Sequence, residues 1–440
     1  MKLLEGVRVL HFHPGSVSEP TDVAIDGAKI VEVGPGLAAK YPAATRHSPG
    51  GYVSPGLVCS HNHFYSVLAR GLMVGIEPSK DFAQQLRNMW WLLDRALDEG
   101  IVRASGLAGA ADAAMLGVTS VVDHHASPEF IDGSLDVLAE GFAEVGLRGL
   151  LCYEATDRNG EADGLAGVRE NERFARKVDA ERAAGGSPLV DGAIGAHAPF
   201  TVGEKTLGAL ASACKSTGRG LHIHVAEDKF DAVDSRYRFG EDICVRLDGA
   251  GLLGPKTILG HGLYLTRSEI ELVNERDSFI AHNARSNMNN CVGYNDNIGL
   301  YRNAVLGTDG IGSDMLEEAG FAFFKHKDSG GSRWMDSYLE MLQNGNRLLE
   351  RYFPGKRLGR VEAGYEADLT FWDYDPPVPL EGANVAGHVA FGMGSRMVAS
   401  TMVAGEFIVK DRKPLFDAEA IAARGRSETR RLWKRMEERK

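Results

Sequence analysis

The sequence predicts an α/β protein: a (β/α)8 TIM barrel with a small composite β-sandwich domain formed by both chain ends. The main observation is a series of eight apolar runs of strand length between residues 54 and 359. Longer amphipathic stretches separate the runs, and strands that alternate with helices indicate βαβ units and a parallel sheet. The runs are GLVCSHNH (56–63), VTSVVDHH (118–125), RGLLCYEA (148–155), DGAIGAHA (191–198), GLHIHVAE (220–227), TILGHGLY (257–264), SFIAHNAR (278–285) and AVLGTDG (304–310).

The stretches between the runs have the length and pattern of helices. Examples are residues 82–97, 101–116, 135–145 and 204–216, in which apolar residues recur at helical spacing. Eight strand–helix units over roughly 250–300 residues fit a TIM barrel. A chain of 440 residues also has room for a smaller second domain.

The two chain ends have a different pattern, which is typical of short strands. Near the first end, apolar and polar residues alternate over 7–11 and 21–33; near the other, the β-like segments are 367–372, 385–391 and 397–409. We therefore expect residues 1–53 and 360–412 to form one β-sandwich domain around a barrel at 54–359. Residues 413–440 mix basic and acidic side chains and predict a solvated helical tail, with membrane or nucleic-acid contact as the alternative.

Composition excludes several classes of protein. Lys and Arg number 49 against 60 Asp and Glu, a net charge of −11 that disfavours nucleic acid and anionic membranes as partners. The five cysteines are odd in number and lack CxxC spacing, so we expect no disulfide framework and a cytoplasmic protein. The first residues do not resemble a signal peptide, and no apolar run approaches ~18 residues. The chain also has no P-loop, GxSxG or zinc-finger spacing.

Seven of the eight predicted strands end in His or Asp, at the end of a TIM barrel that carries active sites. His61 and His63 are two residues apart on the first strand, so both side chains face one side and could bind one metal ion. The alternative is that they are polar residues filling the barrel mouth. His124 and His125 end the second strand, and we expect one of them to pack beneath the site.

The fifth strand offers a second HxH pair. His224 and the nearby Glu227 could converge on one metal site, and a carboxylate that does not bind metal is suited to carry protons. We expect His222 to lie one layer deeper, as a supporting or core histidine. His261 ends the sixth strand as a ligand or an acid/base group, and Asp309 ends the eighth as a ligand and proton acceptor, with a turn residue as the alternative for Asp309.

Other polar residues at strand ends are candidates for binding a substrate. His197 follows the fourth strand, and Asn283 and Arg285 begin the seventh loop, with Ser286 and Asn287 beside them. The alternatives are a structural histidine and an ordinary polar loop. Trp90 and Trp91 lie in a helical stretch, where core packing is the favoured interpretation and a substrate-stacking wall the alternative.

Together these segments resemble the amidohydrolase superfamily and, within it, the chlorohydrolase/deaminase group. SPGLVCSHNH resembles that group's PG…HxH segment, HVAE its HxxE, GHG its sixth-strand histidine and LGTDG its terminal aspartate. VEAGYEADLTFWD is similar to the segment that returns to the small β domain. HFYSVLARG, CYEATDRNG, AHNARSNMNN and GTDGIGSDML resemble the SsnA-type aminohydrolases, a resemblance that leaves the substrate open.

The resemblance implies a metal site and the roles of its residues. It implies His61, His63, His224 and Asp309 as metal ligands, Glu227 as proton shuttle and His261 as the group beside the metal-bound water. Ala284 and Asn62 depart from the proline and threonine that relatives often have, outside the ligand set. Members of the superfamily with two metal ions bridge them with a carbamylated lysine at the end of the fourth strand. No lysine ends that strand here, so the resemblance implies one divalent metal per chain. Three histidines and one aspartate favour Zn²⁺, with Fe²⁺ or Mn²⁺ as alternatives.

The expected activity is hydrolytic deamination of a C–NH2 group on a nitrogen heterocycle of purine or pterin type. In this hypothesis metal-activated water attacks the ring carbon, Asp309 and His261 take its proton, and Glu227 protonates the adjacent ring nitrogen. The first alternative is hydrolysis of a cyclic amide or of another C–N or C–Cl bond at the same metal. The second is a barrel that binds a partner without catalysis, which the complete ligand set disfavours. A small-molecule substrate is expected, and homo-oligomer formation is left open.

Overall fold

A computed structural model describes residues 1–440, with nineteen strands and fifteen α-helices. The strands are β1 (Lys2–His11), β2 (Ser16–Val17), β3 (Thr21–Asp26), β4 (Lys29–Gly34), β5 (Thr45–His47), β6 (Tyr52–Pro55), β7 (Leu57–Asn62), β8 (Val118–His125), β9 (Arg148–Tyr153), β10 (Val190–Gly192), β11 (Ile194–Ala196), β12 (Leu221–Val225), β13 (Ile258–His261), β14 (Phe279–His282), β15 (Ala304–Leu306), β16 (Leu369–Trp372), β17 (Val398–Val403), β18 (Glu406–Lys410) and β19 (Lys413–Pro414).

The helices lie mainly between the barrel strands. They are α1 (Leu37–Lys40), α2 (Phe82–Gln85), α3 (Trp91–Asp94), α4 (Glu99–Met115), α5 (Ser134–Val145), α6 (Glu161–Ala183), α7 (Glu204–Thr217), α8 (Lys229–Phe239), α9 (Ile243–Gly249), α10 (Arg267–Glu275), α11 (Ala284–Asn289), α12 (Met315–Asp328), α13 (Asp336–Glu350), α14 (Val385–Phe391) and α15 (Ala418–Glu437). A π-helical turn, Leu86–Trp90, joins α2 to α3. None of the helices combines the length and apolar character that crossing a membrane requires.

Strands β7 to β15 form the predicted barrel, in which β10 and β11 are two parts of the fourth strand separated by Ala193. All neighbouring strands run parallel and follow chain order. Bridges Asn62–Asp309 and Ala155–Ala196 join the two sheets and close the ring. All eight predicted strands are present, and the predicted fold class is confirmed.

Strand alternation decides which side chains point into the barrel. On β12, Leu221, Ile223 and Val225 pack outward in the main core, so His222 and His224 face inward. On β7 the interior residue is Val58, and regular alternation would turn His61 away from it. A register shift between Cys59 and Asn62 reverses this direction and brings His61 inside.

Both chain ends contribute to one ten-stranded sheet, in the order β19-β18-β17-β16-β6-β1-β3-β4, with β2 and β5 paired to β1. Strands β6 and β16 are antiparallel neighbours, so the segment that enters the barrel pairs with the segment that leaves it. The predicted strand at 385–391 is wrong, because these residues form α14. Its apolar residues Val385, Ala386 and Val389 are buried at helical spacing, a pattern that a short run does not distinguish from a strand.

The C-terminal helix α15 packs along α4 and buries Leu432 and Met436 completely. Its ion pairs include Arg431–Asp98 at 2.6 Å, which crosses to the start of α4. One face of the basic tail is therefore part of the core, while the other stays in solvent.

Candidate metal centre and active site

Four histidines and one aspartate meet inside the barrel at the carboxyl ends of the strands. The ligating atoms of His61, His224, His261 and Asp309 all lie within 4.8 Å of one another. His63 Nε2 is 2.7 Å from Asp309 Oδ1 and 3.2 Å from His224 Nε2. The structure thus brings all four sequence-predicted ligands together, with His261 beside them.

Hydrogen bonds at Nδ1 orient these imidazoles. His63 Nδ1 lies 2.6 Å from the carbonyl oxygen of His124, and His224 Nδ1 lies 2.8 Å from that of His197. A carbonyl oxygen only accepts, so in the neutral form of each ring Nδ1 carries the hydrogen and Nε2 has the lone pair that could bind a metal ion. His61 Nδ1 lies 2.8 Å from His222 Nε2.

The donor set fits a divalent metal ion. The Nε2 atoms of His61 and His261 are buried and have no hydrogen-bond partner in the protein, an arrangement that is costly unless something else binds them. Burial lowers the pKa values of His61 and His224 well below 6.5, and the neighbouring imidazoles lower them further. Neutral imidazoles beside a carboxylate are the ligands expected for a catalytic metal.

Glu227 lies next to this cluster with its carboxyl group buried. Its Oε2 is 3.5 Å from His261 Nε2, and Asn290 donates a hydrogen bond of 3.2 Å to its Oε1. Burial removes water from the Glu227 carboxyl group and raises its pKa to about 7. The nearby His261 lowers this pKa, but by less than burial raises it. A carboxyl group with this pKa can both take up and release a proton near neutral pH.

Asp309 is held by its backbone and by one hydroxyl group. Ser286 Oγ donates to Asp309 Oδ2 at 2.5 Å. The φ angles of Asp309 and His261 are 53° and 70°, in the left-handed region that non-glycine residues rarely adopt. On β13, Leu259 packs outward, so regular alternation would also turn His261 outward, and the left-handed backbone instead lets its side chain reach the cluster.

The cluster opens into a cavity of about 660 Å³, part of it open to solvent. His63, His224, Glu227 and Asp309 lie at its floor. The walls are largely aromatic and apolar: Tyr65, Phe82, Leu86, Trp90, Trp91, Phe200 and Phe230. Trp90 and Trp91 therefore line the cavity, the alternative that the sequence disfavoured.

The three predicted substrate-binding residues have different positions. His197 lines the cavity, with its Nδ1 3.0 Å from Thr201 Oγ1. Asn283 lies behind His261, 3.5 Å from its Nδ1, and does not line the cavity. Arg285 is also outside the lining and forms a 2.6 Å ion pair with the buried Glu318. Asn283 and Arg285 therefore contact other side chains of the protein and do not face the cavity.

Four acidic residues in the cavity lining escaped the sequence interpretation: Asp94, Glu154, Asp228 and Asp231. Glu154 Oε1 is 3.1 Å from His63 Nδ1 and is buried. Asp94 is paired with Arg158 through Oδ2, while its Oδ1 is buried without a partner. Alternation on β9 could have identified Glu154, because it shares a face with Leu150 and Cys152. Asp94 has no comparable signal.

His124 is the second-strand histidine that packs beneath the site. Its ring lies 4.7 Å from that of His224 and 4.3 Å from that of His222. His125 points elsewhere and bonds Ser127 Oγ at 3.0 Å.

Comparison with known proteins identifies the family. The model of the amidohydrolase family matches residues 52–408, most of the chain. The protein belongs to the amidohydrolase family. The resemblance to amidohydrolases seen in the sequence is thereby confirmed.

Two curated relatives of this amidohydrolase are archaeal deaminases. The 5'-deoxyadenosine deaminase of Methanopyrus kandleri is 29% identical over 368 residues, covering 82% of each chain. The 5-methylthioadenosine/S-adenosylhomocysteine deaminase of Thermococcus sibiricus is 28% identical over 399 residues, covering 88% of this chain and 89% of its own.

Solved structures share the fold of this amidohydrolase over nearly its full length. An adenosine deaminase from Xanthomonas campestris with bound zinc has a TM-score of 0.81 at 23% identity, covering 98% of each chain. A zinc complex of atrazine chlorohydrolase from Arthrobacter aurescens has a TM-score of 0.81 at 22% identity, covering 98% of this chain and all of its own.

Proposed function

We propose that this amidohydrolase is a hydrolytic deaminase that removes the amino group of a purine-like heterocycle with the help of one Zn²⁺ ion. Its curated relatives are named as deaminases of 5'-deoxyadenosine and 5-methylthioadenosine/S-adenosylhomocysteine. A zinc-bound adenosine deaminase shares its fold. The names of these relatives support the reaction expected from the sequence, and they favour an adenine-type ring over a pterin.

The observation that carries the proposal is the position of Glu227. A carboxyl group with a pKa of about 7 lies 3.5 Å from His261, on the floor of an aromatic cavity and beside the proposed metal ligands. Aromatic walls suit a flat ring, because stacked aromatic surfaces attract one another. A ring held between the walls would present its amino-bearing carbon to the floor.

The protein's own residues divide the proton transfers among them. A bound divalent ion would supply Lewis acidity, which lowers the pKa of a water molecule toward ~7. Asp309 and His261 would accept a proton at Oδ2 and Nε2, which lie 3.7 Å apart. Glu227 would give its proton to the ring nitrogen next to the amino-bearing carbon. The two protons of the water molecule balance the reaction: one would replace the proton of Glu227, and the other would convert the leaving amino group to ammonia.

The proposed ligands are His61, His63, His224 and Asp309, and the proposed ion is Zn²⁺. Three neutral imidazole nitrogens and one carboxylate oxygen are a ligand set that zinc accepts readily. Fe²⁺ and Mn²⁺ accept nitrogen and oxygen ligands as well, so the ion must be measured.

The test combines metal analysis with ammonia release by the same purified protein. The substrates are 5'-deoxyadenosine, 5-methylthioadenosine, adenosine, guanine, a pterin and cytosine. The expected result is about one zinc per chain and ammonia from the adenine compounds without ring opening. Bound metal with no ammonia from any compound would reject deamination and favour cyclic-amide hydrolysis. A protein that binds no metal after reconstitution would reject the whole proposal.

A further inference from the structure

His61 differs from the other imidazoles of the cluster in what its Nδ1 faces. The other three Nδ1 atoms face oxygen atoms. His61 Nδ1 faces another imidazole nitrogen, His222 Nε2, at 2.8 Å. An imidazole nitrogen can either donate or accept, so the hydrogen position on His61 depends on the tautomer of His222.

His222 is itself connected to a buried thiol. Its Nδ1 lies 3.5 Å from Cys152 Sγ, and the same sulfur lies 3.7 Å from the carbonyl oxygen of Asp123. His61, His222 and Cys152 are all fully buried. A row of three hydrogen bonds therefore runs from the metal cluster down into the barrel.

Two arrangements of hydrogens join His61 to His222 and Cys152, and only the first also supplies the hydrogen bond to the Asp123 carbonyl oxygen. In the first, His61 Nδ1 donates to His222 Nε2, His222 Nδ1 donates to Cys152 Sγ, and the thiol donates to the Asp123 carbonyl. In the second, the thiol donates to His222 Nδ1 and His222 Nε2 donates to His61 Nδ1. The second arrangement puts the remaining hydrogen of neutral His61 on Nε2, the atom that faces the cluster, and leaves no lone pair for a metal.

We propose that His222, held by Cys152, is a positioning residue that keeps His61 in the tautomer able to bind metal. The proposal rests on the metal centre proposed above and is independent of the substrate. It assigns to His222 the accepting role that carbonyl oxygens have for His63 and His224. Such partners orient a ligand and raise its basicity.

The same residues do not form a second metal site. His124, Cys152 and His222 place potential ligand atoms within 4.8 Å of one another. However, the rings of His124 and His222 are stacked, with centroids 4.3 Å apart and planes inclined by 18°. The lone pairs of an imidazole lie in its ring plane, so two nearly parallel rings cannot point at one ion. The stack instead restrains the ring plane of His222.

The experiment measures zinc affinity by competition with a chelating dye, without substrate. His222→Leu should weaken zinc binding about 10- to 100-fold, the usual effect of losing such a partner. His222→Gln should recover most of it, because the Gln amide oxygen can accept near the position of Nε2. Cys152→Ala should cost about two- to tenfold, as expected for one weak hydrogen bond.

His282 provides the matched control. It also ends a barrel strand, is fully buried, and has no hydrogen bond at either ring nitrogen. His282→Leu and His282→Gln should leave zinc affinity unchanged. Equal losses in the His222 and His282 variants would mean that packing alone is responsible and would overturn the proposal.

Nitrogen NMR of histidine-labelled, zinc-loaded wild-type protein tests the tautomer directly. The ¹⁵N chemical shift distinguishes a ring nitrogen that carries hydrogen from one that does not. We expect hydrogen on Nδ1 of both His61 and His222. Three results would each overturn the proposal: hydrogen on His222 Nε2, unchanged zinc affinity in His222→Leu, or a second bound zinc that is lost in Cys152→Ala. Absence of deaminase activity with this affinity pattern intact would reject the proposed deamination and leave the role of His222 standing.

Discussion

At the scale of single residues, the site depends on backbone angles that residues other than glycine rarely adopt. His261 and Asp309 have left-handed φ angles, which cost about 1–3 kcal/mol each and persist where the surroundings enforce them. The segment at Asp309 is fixed by hydrogen bonds from Thr308 and Asp309 to the carbonyl oxygen of His61, at 2.9 and 3.0 Å. Asp309 is thus bound to the backbone of the strand that carries two proposed ligands.

Glu227→Gln tests the proton transfer at this scale. Gln has the size of Glu and can still bond Asn290, but it cannot give or take a proton at neutral pH. Turnover should fall about 10²- to 10⁴-fold, the usual contribution of a general acid–base group. Bound metal and thermal stability should stay as in the wild type. Steady-state kinetics and metal analysis measure both, and near-normal turnover in a metal-loaded variant would contradict the role.

At the scale of elements, strands were easier to predict than the cavity walls. HxH pairs and strand-end acids are local in the sequence, and alternation makes their direction predictable to a first approximation. The register shift on β7, and the formation of helix α14 where a strand was predicted, depend on neighbours far along the chain. The cavity wall combines residues such as Asp94, Glu154 and Phe230 from separate elements, which no local pattern brings together.

The wall also depends on the far end of the chain. Leu432 and Met436 of α15 pack in one cluster with Tyr65, Leu92 and Leu93. Arg435 Nε donates to the carbonyl oxygen of Ala96 at 2.6 Å. Since Tyr65, Trp91 and Asp94 line the cavity on this side, α15 supports the aromatic wall from behind.

Leu432→Ala should therefore change both stability and substrate binding. The cavity left behind should cost about 2–5 kcal/mol of unfolding free energy. KM should rise more than kcat falls, because the wall binds the ring while the proton-transfer groups stay in place. Urea denaturation, kinetics and metal analysis measure these effects. Arg430→Ala, an exposed change on the same helix, is the control, and equal KM values in the two variants would refute the support role.

At the scale of the whole molecule, one buried ion pair joins the barrel to the β domain. Arg148, the first residue of β9, forms bonds of 2.7 and 3.0 Å to the carboxylate of Asp368, next to β16. Glu366 lies 3.9 Å from the same guanidinium and also pairs with Lys356 at 3.1 Å. Because Arg148 begins its strand, this pair lies at the opposite end of the barrel from the metal cluster.

Arg148→Met should destabilise the protein without disturbing the site. It leaves the buried Asp368 carboxylate without its cation, which typically costs about 3–5 kcal/mol. The double variant Arg148→Met/Asp368→Asn should recover part of this loss, because a neutral amide oxygen can still accept from the Ala404 N–H group. Urea denaturation measures the loss, and metal content should remain about one ion per chain. Arg276→Met, which breaks an exposed pair with Asp248, should change the unfolding free energy little. If the Arg148 and Arg276 variants behaved alike, the pair would not couple the two domains, and their union would depend on the sheet and the apolar core alone.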